Sequence, residues 1–379
     1  MKLCTISSFP PKHCGIAEFN HDLLEELLPI LRPNKLISMA INKNDNYVNN
    51  YPQDVKFQIR KNIHPDYFKV AALINQENPD VVLLQHEFGL FGGYSGKYAL
   101  DLIQNIDRPI ICVLHTIPVK MDAHKPIAKK NFFLKANPHV KKFIVIASEG
   151  KTKLVSYGIS PEKIQVISHG APDILSYNRP NLRQELALPE KSFLILIFGL
   201  VHHSKGIEYA IVAMKELVRK KLNCQLLINC DPLRGKENKK YIFYLQSLIK
   251  KFHLSKNVFF RKEFLSKEKL YAYINASDIG ILPYIHKSYI SSGVLSFFVA
   301  AAKPVITTPF AYAASLLPKD FTTFVPVKNS QAITQAIERY MIDKVYYEAI
   351  RTKLFSLRKS ILWSQKAKEY LKVIQEVVL

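Results

Sequence analysis

Ser291, Ser292 and Gly293 stand between a polar loop and the apolar run Val294 to Ala302, which reads as a helix. Small residues opening onto a helix leave backbone N–H groups free at its positive end, where a phosphate or another anion can sit. The same residues also suit a buried corner between helix and strand with no ligand, since small residues are common at helix starts. A second opening of this kind lies near the start of the chain, where Gly15 ends the loop FPPKHCG and would let a ligand approach the backbone. His86 and Glu87 follow the apolar run Val81 to Leu84, and His115 follows Ile110 to Leu114. Residues at the carboxyl ends of parallel strands stand where open α/β sheets bind ligands, which makes His86 and Glu87 candidates for ligand contacts. Glu87 equally suits a cap on the next turn, and His115 a satisfied histidine at a strand end.

The elements that must carry these residues alternate. Lys2 to Ser8 reads as a buried strand, and the two prolines of the following loop forbid helix there. Ile16, Phe19, Leu23, Leu24, Leu27 and Leu28 then recur at helical spacing. The order strand, glycine-containing loop, helix, basic residue plus proline, strand appears in the first half, ending in Arg108-Pro109, and again in the second, ending in Lys303-Pro304. The second half opens with the wholly apolar Phe193 to Phe198, the loop GLVHHSKG and a helix from Ile207. Such alternation predicts an α/β chain of two doubly wound, Rossmann-like parallel-sheet domains. Residues 1–175 form the first and 185–355 the second, with a polar linker between them reaching Arg183. The tail from Val345 is helical, with Trp363 and Tyr370 seven residues apart on one face.

A length of 379 residues with 48% hydrophobic content supports two filled cores. No apolar run approaches a membrane span, and MKLCTISSFPP lacks the apolar core of a signal peptide, so a soluble, cytoplasmic protein is expected. Five cysteines without a C-x-x-C pair point to free thiols rather than disulfides or zinc. The excess of 53 Lys+Arg over 31 Asp+Glu favours anionic partners, although its short clusters also suit a solvated surface. No G-x-G-x-x-G, P-loop or G-x-S-x-G occurs, and no nucleic-acid-binding module is present.

Taken in order, FPPKHCGIAEFN, VVLLQHEFGLFGG, VLHT, GISPEKIQVISHGAPD, GLVHHSKGIEYA and ASDIGILPY through KPVITTP resemble the two-domain GT-B glycosyltransferases, within them the retaining glycosyltransferase family 4, also called glycosyl transferases group 1. The resemblance spans nearly the whole chain and implies two domains facing a central cleft, with a C-terminal helix at about 363–379 packed back on the first. It implies transfer of a hexose from a UDP-, GDP- or ADP-linked donor to a glycan or lipid-linked acceptor, with retention, as in mannosyltransferase-like enzymes of polysaccharide biosynthesis. Position by position, Gly15, Lys205, Ser292, Gly293 and Val294 resemble donor-diphosphate contacts, and His115 the histidine beside the transferred sugar. Ser291, Tyr289 and Phe297 fall near the sugar and nucleoside. The family's pair of glutamates falls on Tyr289 and Phe297, and its usual second phosphate cation on Leu200, where His202 or His203 would compensate.

No Asp-x-Asp occurs, so neither metal nor cofactor is expected. A GT-B protein that has lost transfer and only binds ligand is the alternative that the absent glutamates keep open; a basic nucleic-acid binder is the other. Lys120, Lys125, Lys129, Lys130, Lys135, Lys141 and Lys142, with Phe132, Phe133 and Leu134 among them, suggest a seat on an anionic membrane, at its inner face, or else a solvated helical face.

Overall fold

The alternating apolar runs assemble, in a computed structural model, into two separate all-parallel sheets. The structure describes residues 1–12, 14–42, 45–46, 51–117, 126–231, 236–263 and 265–379. The chain divides into two compact units, one of Met1–Gly170 with Trp363–Leu379 and the other of Ala171–Leu362.

In the first unit the strands are β1 (Lys2–Ser7), β2 (Lys35–Ile41), β3 (Val55–Ile59), β4 (Val81–His86), β5 (Ile110–Leu114), β6 (Val140–Val145) and β7 (Ile164–Val166). They lie in the order β3-β2-β1-β4-β5-β6-β7. Central strands β4 and β5 are buried at every residue, because helices cover both faces of a parallel sheet. β6 starts at Val140, earlier than the apolar residues alone suggest. Its Lys142 leads the charge out of the sheet to the carbonyl of Glu162 and the carboxylate of Glu376.

In the second unit β8 (Phe193–Leu200), β9 (Cys224–Asp231), β10 (Val258–Arg261), β11 (Ile279–Leu282), β12 (Val305–Thr307) and β13 (Thr323–Phe324) lie in the order β10-β9-β8-β11-β12-β13. The two sheets therefore repeat one winding, which reverses direction between β1 and β4 and again between β8 and β11. Open α/β sheets bind ligands at the carboxyl ends of the strands at such a reversal. Gly280 in β11 lets the helix Gly293–Ala300 close on the sheet; a Cβ there would lie 2.5 Å from the Phe298 ring.

The C-terminal helix Trp363–Val378 belongs to the first unit and packs along the helix Gly15–Leu31. Trp363 meets Phe19 edge to face at 4.8 Å between ring centroids, and a Cβ on Gly170 would collide with the indole at 2.2 Å.

The basic and aromatic stretch suggested as a membrane seat is organised differently. Phe132 and Phe133 on the helix Pro126–Ala136 are 5% and 0% exposed. Burial in the core withdraws both rings from a bilayer, and Lys120 and Lys125 lie outside the described residues. No helix among the described residues is long and apolar enough to cross a membrane.

Candidate functional site

The second unit gathers its candidate residues at the crevice between β8 and β11. Near the end of β8 stands Gly199, whose φ of +112° is open to glycine and whose missing Cβ leaves room for Val294 Cγ2 at 3.2 Å. The chain then turns through a short 3-10 segment, His203–Lys205, into the helix Ile207–Arg219. Gly206 at that corner has a φ of +63°, and a Cβ on it would lie 2.2 Å from the Pro283 carbonyl oxygen. Two hydrogen bonds fix the same corner, from Ile285 N to the Ser204 carbonyl at 2.9 Å and from Ile207 N to the Tyr241 hydroxyl at 3.0 Å. Gly206→Ala is accordingly expected to cost about 2 kcal/mol or more, from left-handed strain and the clash together. Urea unfolding measures it; an unchanged midpoint would show that the corner is not rigid.

Lys205 projects from this corner over two rings, its Nζ 3.8 Å from the centroid of Tyr284 and 4.9 Å from that of Tyr289. Aromatic faces stabilise an ammonium without cancelling its charge. Among the described residues no carboxylate pairs with it. Leu200, Lys205, Pro283, Tyr284 and Val294 line one crevice.

The helix Gly293–Ala300 opens beside them. The Ser292 hydroxyl caps it, accepting from Leu295 N at 3.3 Å, while the N–H groups of Gly293 and Val294 are left for a ligand. Ser291 is half-buried in the preceding loop. One cation and two backbone donors stand at the reversal point, an arrangement that can hold an anion.

Tyr289 and Phe297 show what replaces the family's acids. The Tyr289 hydroxyl lies 2.6 Å from Ser204 Oγ, which in turn lies 2.7 Å from His202 Nδ1, so Tyr289 braces the Lys205 corner. Phe297 joins an aromatic wall, 6.4 Å from Phe198 and edge to face with Tyr271 at 5.9 Å. His202 is committed to this brace, and burial, then the charges of His203 and Lys205, lower its pKa. It does not serve as a spare phosphate cation. Sequence reading missed the Ser204 bridge, because only spatial contact across 85 residues reveals it.

A cavity of about 380 Å³ opens at the other end of the sheet around Arg183, Asp278 and Lys303. Its cations are spent on the fold: Arg183 binds the carbonyls of Ala276, Glu190 and Ser192, and Lys303 those of Asn275 and Ser277. The smaller crevice, with its unspent charge, is the better ligand site.

In the first unit, Gly15 begins the helix Gly15–Leu31 and is exposed, and a Cβ on it would meet nothing within 4 Å. Cys14 gives that helix no side-chain cap, so its opening N–H groups also remain available to an anion. His115 closes β5 with Nε2 2.8 Å from Gln85 Oε1 and its ring edge to face with Phe19 at 4.7 Å. With Gln85 Oε1 as acceptor the proton resides on Nε2, which leaves Nδ1 an acceptor. Burial, followed by the charges of His169 and His86, pushes the pKa of His115 down to about 3. It is therefore neutral at physiological pH and fitted to accept a hydrogen bond rather than to deliver a proton.

His86 departs from its expected place in the site. It is 0% exposed, stacked against Phe132 at 4.5 Å and Phe91 at 5.5 Å, and neither ring nitrogen has a partner. The strand places it on the inward face, where it cannot touch a sugar. The Glu87 carboxylate accepts from Gly89 N at 3.4 Å, the capping arrangement of the next turn.

Residues 44–173 match the model of Glycosyltransferase Family 4, and residues 178–354 that of Glycosyl transferases group 1. No curated protein matches the chain in sequence. Among solved structures, sucrose-phosphate synthase from Thermosynechococcus elongatus is similar with a TM-score of 0.79 at 16% identity, over 99% of this chain and 98% of that one. A glycosyltransferase from Rickettsia africae aligns with a TM-score of 0.77 at 17% identity, over 100% of this chain and 98% of that one. Anabaena HepE in complex with UDP and glucose aligns with a TM-score of 0.78 at 14% identity, over 99% and 100%. The chain belongs to the glycosyltransferases of GT-B fold, its first unit to Glycosyltransferase Family 4 and its second to Glycosyl transferases group 1.

Proposed function

We propose that this protein transfers a hexosyl group, with retention, from a nucleoside-diphosphate sugar to a hydroxyl of a glycan or lipid-linked acceptor. The observation that carries the reading is the unneutralised Lys205 beside the free N–H groups of Gly293 and Val294. A departing nucleoside diphosphate gains negative charge as the glycosidic bond breaks, and a fixed cation with preorganised N–H donors stabilises that charge without a reorganisation cost. Uridine is the first base to test, because the similar HepE was solved with UDP and glucose.

Within the first unit, this reading makes the open backbone at Gly15 a further candidate for anion contact and His115 Nδ1 an acceptor suited to a sugar hydroxyl. Tyr289 keeps the Lys205 corner in place, and Phe297 presents an apolar wall in place of a carboxylate. Ser291 keeps the approach to the helix start small. The charge on the leaving group is met by protein donors, so no metal is assigned.

The test is release of nucleoside diphosphate from UDP-, GDP- and ADP-hexoses, with the anomeric configuration of the product followed by NMR. Release from one donor, undiminished by EDTA and giving the retained anomer, is expected. Saturable binding without release from any donor would instead favour a ligand-binding protein that has lost transfer.

A further inference from the structure

The helix Lys236–Lys251 carries a surface that the transfer reaction does not use. Its inner face buries Ile242, Leu245 and Ile249 at 6%, 0% and 7% exposure, against the unit that holds Lys205. Tyr241 on the same helix caps Ile207, immediately after the Lys205 corner. The outer face is unusual: Phe243 is 74% and Tyr244 46% exposed. Lys239 and Lys240 stand one turn before these rings, and Lys250 and Lys251 about two turns after them, all exposed.

We propose that this face seats the second unit on a bilayer of anionic lipid, independently of the donor reading. An interfacial helix needs an apolar wedge that enters the headgroup region and long cations that reach lipid phosphates around it. Phe243 with Tyr244 supplies the wedge, an aromatic with a polar-tipped neighbour suited to the interface. The four lysines supply the cations at both ends. The carboxylates nearby are largely occupied elsewhere, Glu208 by Tyr241, Glu216 by Arg219 and Glu263 by Lys269, while Glu237 stays exposed in the first turn. Lys256 and Lys262 extend the basic surface beyond the helix. Single-stranded nucleic acid would use the lysines and could stack bases on the same rings, so partition into vesicles free of nucleic acid is what separates the two partners.

The experiment is flotation of the full chain with vesicles of phosphatidylcholine alone and of phosphatidylcholine with phosphatidylglycerol. Binding is expected only to the anionic vesicles. Phe243→Ser should lower the partition coefficient several-fold, and Lys239→Ala with Lys240→Ala about 25-fold, since each lysine near an anionic surface contributes about fivefold. All three side chains are exposed, so the variants should keep the wild-type thermal midpoint. Lys129→Ala with Lys130→Ala, in the first unit, should float as wild type does. Equal recovery on neutral and anionic vesicles, no flotation, or flotation insensitive to both Phe243 and the lysines would overturn the proposal. Tight binding to single-stranded RNA without flotation would assign the surface to nucleic acid instead.

Discussion

Lys205→Ala is expected to lower kcat/KM for the nucleotide-sugar donor by about 100- to 1000-fold, the usual scale for removing one group that stabilises a developing anion. The cause is specific to this chain. The family's second phosphate cation is replaced by Leu200, and His202 is tied to Ser204, so Lys205 is the fixed cation on the crevice lining. Its partners in the free protein are the rings of Tyr284 and Tyr289, which contribute on the order of 1 kcal/mol to stability. The variant should therefore remain folded, with activity lost far out of proportion to stability. Steady-state release of nucleoside diphosphate measures the effect. A loss within threefold would mean that the leaving group is stabilised by other residues.

Acid should destabilise the protein well before its carboxylates titrate. His86 and His115 are each pushed down to about 3 and His169 to about 4, in every case chiefly by burial. A histidine whose folded pKa lies below its unfolded value of about 6.5 is bound by more protons in the unfolded state as pH falls. Stability contributed by the neutral form is thus present above pH 6.5 and lost progressively below it. Each group costs about 1.4 kcal/mol per pH unit, so by pH 5 the three together remove on the order of 5 kcal/mol, comparable to the stability of a whole domain. Glu77, held near 2 by its hydrogen bonds to Lys2 and Lys35, loses its contribution only at lower pH, which keeps the two windows apart. Urea unfolding at pH 7.5, 6.5, 5.5 and 5.0 should show the decline. His86→Leu should flatten it by about a third and raise stability at pH 7, because neither ring nitrogen of His86 has a partner to lose. A profile flat to pH 5 would contradict the account.

The carboxyl ends of the strands were readable because periodicity and glycine-bearing loops mark where parallel strands stop; Gly199, Gly206, Ser292 and Gly293 all lie at such stops. Which way a strand-end side chain points was less legible. His86 and His115 end adjacent, paired strands, yet one faces the core and the other keeps a part-buried edge, a difference set by neighbours distant in sequence such as Phe132 and Gln85. The brace from Tyr289 through Ser204 to His202 was hidden for the same reason. Phe132 and Phe133 show the converse error: a basic and aromatic run suggests a membrane face by composition, while helical phase turns both rings inward. The exposed aromatic pair lies instead on the helix Lys236–Lys251, where Phe243 is not distinguishable from a core residue without the packing.

Calorimetric titration of UDP, GDP and ADP into the wild-type protein and Lys205→Ala tests the central claim most directly. The account predicts saturable binding of at least one nucleoside diphosphate to the wild type, weakened at least tenfold, about 1.4 kcal/mol, in the variant. Absence of saturable binding by all three, or equal affinity in the two proteins, would contradict the diphosphate seat at Lys205 and the start of the helix Gly293–Ala300.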